Sequence, residues 1–151
     1  MLAVPEIRVQ HAPFDFATEC AGFAAGRTDL GAVVTFCGIV RQDGAGQLQQ
    51  MEIEHYPGMT ERALQAIADE ASARWALGAC LVIHRYGVLT PGERIMMVAT
   101  GAAHRADAFA AADFLMDYLK SRAPFWKRET TQHSTGWVAA KASDVAALQR
   151  W

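Results

Sequence analysis

The chain predicts an α+β domain, and three observations carry that prediction. Two β-rich runs, Cys80 to Tyr86 and Arg94 to Thr100, are joined through Thr90-Pro91-Gly92-Glu93, a turn sequence short enough to make the pair antiparallel. Two helix-length segments lie outside that pair, and the first of them repeats apolar residues at steps of three and four. The length of 151 residues, with 52% hydrophobic and 20% charged, suits one domain able to bury a sizeable core.

In chain order, Ile7 to Gln10 predicts a short edge strand, and Phe14 to Ala25 a helix. Gly31 to Val40 is a continuous apolar run rich in β-branched residues and reads as a buried strand. Asp43-Gly44-Ala45-Gly46 marks a flexible turn. From Gln50 to Tyr56 the pattern alternates, with Met51, Ile53 and His55 on one face and Glu52, Glu54 and Tyr56 on the other, as in a half-buried strand. Pro57-Gly58 breaks it. Thr60 can cap a helix reaching about Trp75, whose stripe is Ala63, Leu64, Ile67, Ala68, Ala71 and Trp75. Gly78 ends that unit. A second helix runs from about Arg105 to Ser121, because Pro124 cannot continue it and biases Ala123 to extended geometry. Trp137 to Ala140 predicts a last short strand, and Ser143-Asp144 can cap a closing helix to Trp151. The order is broadly β-β-α-β-β-α-β with mostly antiparallel pairing.

Composition narrows the function. No stretch is long and apolar enough to cross a membrane, and the N-terminus lacks the basic start and apolar centre of a secretory signal, so a cytoplasmic location is expected. Cys20, Cys37 and Cys80 are odd in number and widely spaced, which predicts reduced thiols and neither a disulfide framework nor a zinc site. There is no phosphate-binding Gly-rich loop and no dinucleotide fingerprint. A formal net charge of −2 and the lack of an aromatic RNA-binding pattern argue against nucleic acid.

One segment departs from the average surface. Lys120, Arg122, Lys127 and Arg128 fall within residues 120–128 with no acid among them, and such an excess favours an anionic ligand or tail. The competing explanation is a cluster that complements a helix C-terminus. Against it stand the interleaved apolar residues Met116, Tyr118, Leu119, Pro124, Phe125 and Trp126, which should hold the cations against a wall. A lysine beside other cations in a partly dry pocket has a lowered pKa and can serve as base or nucleophile. At the front of the second helix, His104 and Arg105 meet unpaired amide hydrogens and a positive dipole end, an arrangement that an anion would relieve. Arg41, after the apolar strand, is a third candidate. His55 and His84-Arg85 read as satisfied core or edge groups, and Glu52 with Glu54 as a polar outer face.

Taken in order, these strings resemble the large, catalytic subunit of molybdopterin synthase. The resemblance rests on Gly31-Ala32-Val33-Val34-Thr35-Phe36 leading to Gly38 and Val40-Arg41, Glu54-His55-Tyr56-Pro57-Gly58-Met59, and Ile83-His84-Arg85 with Gly87. It continues through His104-Arg105, Met116-Asp117-Tyr118-Leu119-Lys120 and Ala123-Pro124-Phe125-Trp126-Lys127-Arg128-Glu129. Six strings in order across nearly the whole chain are specific where one would be weak.

The resemblance implies an α/β hammerhead fold with added antiparallel strands, as one domain over residues 1–151. It also implies sulfur transfer to cyclic pyranopterin monophosphate to build the molybdopterin dithiolene. The sulfur arrives as a thiocarboxylate on the Gly-Gly tail of a small ubiquitin-like subunit, and the assembly is a dimer of large subunits with a small subunit at each end. No cofactor or metal is implied. By motif position, Lys120 and Lys127 match the catalytic lysines. Arg41, His104, Arg105, Arg128 and Glu129 match substrate positions, along with Ile39, Val40 and Lys141. Met116, Pro124, Phe125 and Trp126 would line the tail slot. Two departures stand out: a lysine is common where Ile39 stands, and an arginine where Lys141 stands, so a point charge replaces a bidentate fork. Arg105 and Lys120 lie near opposite ends of one helix, roughly 22 Å apart at 1.5 Å per residue. A site using both would have to be completed by a symmetry mate. The alternative class is a non-catalytic module that docks an acidic or ubiquitin-like tail.

Overall fold

The computed structural model describes residues 3–151. Its first sheet combines β1 (Glu6–Gln10), β2 (Ala32–Ile39), β4 (Ala79–Arg85) and β6 (Arg94–Ala102) in the order β1-β4-β6-β2. Only β1 and β4 run parallel; β4 with β6 and β6 with β2 are antiparallel. β4 and β6 are central, which explains their nearly unbroken burial. Helix α1 (Phe16–Phe23) covers one face, where Phe16, Cys20 and Phe23 meet Leu81, Ile83, Met97 and Ala99. On the other face α2 (Met59–Arg74) and α3 (Arg105–Ser121) enclose the main core around Leu64, Val82, Val98, Phe114 and Leu115.

The second sheet has the order β5-β3-β7-β8, from β3 (Leu48–His55), β5 (Gly87–Leu89), β7 (Phe125–Thr131) and β8 (Thr135–Trp137), all antiparallel. A short helix α4 (Ala142–Ala147) and a 3-10 turn, Leu148–Arg150, close the chain.

Several expectations change. The apolar run of β2 is not a buried strand: β2 is a sheet edge, and Val33, Phe36 and Ile39 are exposed. The segment after Pro124 is a strand and not merely a bend. Short β5 lies inside the link between β4 and β6. The last strand is Thr135–Trp137, earlier than residues 137–140, because it pairs with β7 through Thr130↔Thr135 and Arg128↔Trp137. The closing helix starts after Lys141, with Asp144 in its first turn, and is α-helical only to Ala147.

Thr60 is not the N-cap of α2, which is Gly58 at φ 85°, a left-handed conformation suited to glycine. The Glu61 carboxylate accepts the Gly58 amide at 2.6 Å, and the Thr60 hydroxyl donates to the Tyr56 carbonyl at 2.8 Å.

Candidate active site

Register decides which side chains of β7 look inward. Ile53 lies opposite Lys127 and His55 opposite Phe125, and directly opposed residues share a face. Ile53 is 1% exposed, so Lys127 projects on the buried side of the sheet. Burial first, then the positive charge of Lys120, pulls the Lys127 pKa down to about 8; Lys141 lowers it further, while Asp144 and Glu129 oppose the shift. Lys120 itself is exposed in the last turn of α3, where the helix dipole favours a cation.

The two lysines open on one cavity of about 340 Å³ between the sheets and α3. Its wall brings together Lys120, Lys127, Lys141 and Ile39 with Met116, Phe125 and Trp126, all candidates from the sequence. Both family departures therefore sit in the cavity wall. Asp144, Phe36, Met96, Leu119 and His84 are among the lining residues beyond those expectations. His84 follows from no local pattern, since it reaches the cavity from β4, 36 residues before Lys120 in sequence.

The remaining candidates lie elsewhere. Arg128, one residue on, faces the other side of β7, where it pairs with Glu52 and sits 5.2 Å from the Trp137 ring centroid. Glu129 stands opposite Met51, and Pro124 is outside the cavity lining. Val40 is 1% exposed, with its amide donating to the Glu93 carbonyl at 2.9 Å and its carbonyl accepting from Gly92 at 2.8 Å. Its side chain thus belongs to the core. Arg41 is exposed beyond β2, and His104 with Arg105 is exposed at the start of α3. None of these three lines the cavity within one protomer.

A second cavity, about 470 Å³, lies between α1 and the β1–β4 edge and contains none of the candidate residues. Among the described residues no group of three or more His, Cys, Asp or Glu side chains is placed to hold a metal ion, and no helix is long and apolar enough to cross a membrane.

A cavity with a depressed-pKa lysine, two further lysines and an apolar wall can hold an anion, stabilise developing negative charge and exchange a proton. Known proteins share the whole frame. The family model described as MoaE protein matches residues 9–122. The molybdopterin synthase catalytic subunit of Cereibacter sphaeroides is 64% identical over 145 residues, covering 96% of this chain and 99% of that protein. The Escherichia coli K12 protein of the same name is 50% identical over 151 residues, covering 99% and 100%. The solved structure of a molybdopterin biosynthesis MoaE protein from Burkholderia ambifaria MC40-6 superposes with a TM-score of 0.83 at 49% identity, covering 97% of each chain. Fold, length and sequence agree, and the chain belongs to the MoaE family of molybdopterin synthase catalytic subunits.

Proposed function

We propose that the cavity between α3 and β7 is the sulfur-transfer site, where the thiocarboxylate tail of a small ubiquitin-like subunit meets cyclic pyranopterin monophosphate. The observation that carries this reading is Lys127, held on the inner face of β7 with a pKa of about 8 beside Lys120. Such an amine binds an anion when protonated and can give up or take a proton near neutral pH. Transfer turns the tail thiocarboxylate into a carboxylate, with water supplying the oxygen that replaces sulfur. Lys120 and Lys127 stabilise the oxyanion that develops at the acyl carbon, and Met116, Phe125 and Trp126 form the wall along which the tail lies. A cytoplasmic setting belongs to the same proposal, in keeping with free Cys20, Cys37 and Cys80.

A two-fold dimer through β2 would reconcile the split between the lysines and the helix-start cations. α3 packs over β2 and β6. The Ala32 end of β2 lies beside Ala102, near His104 and Arg105, whereas Ile39 at the other end lines the lysine cavity. Antiparallel pairing of this open apolar edge with its own copy would bring the mate's His104 and Arg105 to the Ile39 end. One phosphate could then meet cations from both protomers.

Complementation tests both parts. Lys120→Ala and Lys127→Ala should each lower dithiolene formation by about 10²–10³, the scale of one lost stabilising donor, with the fold and partner complex intact. Subunit exchange between inactive Lys120→Ala and inactive Arg105→Ala should restore about a quarter of wild-type sites, because half the dimers are mixed and each has one intact pocket. Near-normal turnover of both lysine variants refutes the site. No recovery after verified exchange refutes the sharing.

A further inference from the structure

His84, at the end of β4, lines the same cavity, yet nothing in the sulfur-transfer reading uses it. The side chain is well packed, with the residue only 5% exposed. Its Nδ1 lies 2.8 Å from the Arg85 carbonyl oxygen. A carbonyl only accepts, so Nδ1 carries the proton and Nε2 presents a bare lone pair. The ring is held in that orientation by stacking on Phe125, with centroids 3.7 Å apart and planes 16° from parallel. Burial above all, then the charges of Lys127, His55 and Lys120, lowers its pKa to about 3, so the ring stays neutral near pH 7 even though the Arg85 carbonyl favours protonation.

No described residue donates to Nε2, although Lys120 and Lys127 share its cavity. Nε2 is not among the buried side-chain atoms left without a partner, which are Arg8 Nε and Ser72 Oγ, so it opens on the cavity, where water or a bound group can donate to it. The other ionisable side chains on the cavity wall are the donors Lys120, Lys127 and Lys141 and the charged acceptor Asp144. His84 Nε2 is therefore a neutral acceptor in a wall of charged groups, open to an N–H donor of a bound reactant and unable to donate to a phosphate or thiocarboxylate oxygen.

We infer that His84 Nε2 accepts a hydrogen bond from an uncharged N–H of the bound reactants, supplied by a backbone amide of the glycine tail or by a ring N–H of the pterin. The inference rests on the sulfur-transfer reading of this cavity. It makes His84 a residue that sets the register of a reactant, while the lysines supply charge.

Two substitutions separate the ring's two nitrogens. In His84→Asn the amide N–H can still reach the Arg85 carbonyl, but nothing remains at the Nε2 position. In His84→Gln the longer amide returns an acceptor near Nε2 and loses the bond to Arg85. Steady-state rates with the thiocarboxylated small subunit and cyclic pyranopterin monophosphate, each varied in turn, give KM for both reactants, and thermal melts report the fold. His84→Asn should raise KM for one reactant about tenfold, the scale of one lost hydrogen bond, while its melting temperature stays near wild type. His84→Gln should keep both KM values within about twofold even if it melts earlier. A rise confined to the small subunit assigns the tail amide, and one confined to the pterin assigns the ring N–H. Unchanged KM values in His84→Asn, or a defect that tracks melting temperature and is not rescued by Gln, overturns the inference. Lys127→Ala serves as the reference: if it is inactive while His84→Asn binds both reactants normally, only the His84 inference falls. If Lys127→Ala turns over normally, the reading of the cavity falls first.

Discussion

Replacing Lys127 by methionine should make the protein more stable at neutral pH. The side chain faces the same side of the sheet as buried Ile53, and burial with Lys120 lowers its pKa from 10.5 to about 8. A pKa below that of the unfolded chain means that the fold disfavours the charged form. At about 1.4 kcal/mol per pKa unit, the penalty is about 3 kcal/mol, fully present below pH 8 where both states are protonated. Between pH 8 and 10.5 the folded lysine has lost its proton while the unfolded one retains it, so the wild type regains stability with rising pH. Above 10.5 both are neutral and the penalty is gone. Methionine keeps the unbranched length without the charge. Denaturant unfolding of both proteins, at one protein concentration and across pH 7 to 10.5, should show the variant ahead by about 3 kcal/mol at pH 7, by about half that near pH 9, and by almost nothing at the end. Groups common to both proteins cancel in the difference. A variant no more stable at pH 7, or a difference flat with pH, refutes the placement of Lys127 as a buried cation.

Asp144→Asn removes a charge that supports protonated Lys127; amine-reactive labelling of Lys127 against pH should then show its midpoint below about 8, and an unmoved midpoint removes Asp144 from the site's electrostatics. Arg85→Met should cost about 1.5–3 kcal/mol in unfolding free energy, the scale of hydrogen bonds to a charged group, because the buried guanidinium donates to the His11 and Arg94 carbonyls and to Glu93. A loss below 1 kcal/mol, on the scale of an exposed pair, would contradict that packing. A small subunit lacking its final two glycines should still form a complex by its body but yield no product; full activity with that partner excludes the tail-slot reading.

Elements whose periodicity served only packing were legible in the sequence. The stripe of α2, the β4–β6 pair and the end of α3 before Pro124 fall close to their expected positions. β7 was hidden because its inner face carries Phe125, Lys127 and Glu129, a pattern set by chemistry in place of an apolar alternation. β2 misled in the opposite direction, since its unbroken apolar run suggests burial on both faces while the strand lies at a sheet edge. Within the site, Lys120 and Lys127 were legible from charge beside a bend, and Met116, Phe125 and Trp126 from the apolar residues between the charges. His84 and Asp144 were not, because their closeness to the lysines comes from the approach of β4 and α4, which no local spacing encodes. Arg128 adjoins Lys127 in sequence but points away, a consequence of the two-residue period of a strand.

The link between α3 and β7 is only Arg122, Ala123 and Pro124, and it works as a ruler. Lys120 is measured from a helix end and Lys127 from a strand start, so their separation is fixed by how many residues lie between those two points. One inserted residue would lengthen the path by about 3.3 Å, to be taken up by a bulged link or by a one-residue slip of β7 against β3, and a slip would swap the inward and outward sets of β7. Arg128 would then face the core and Lys127 the solvent. The Asp43–Gly46 turn, exposed for most of its length and joining β2 to β3, carries no such measurement. Length variation across related chains should therefore gather there and be absent from residues 122–124, which makes the position of a gap in an aligned sequence a direct indicator of whether the lysine pair survives.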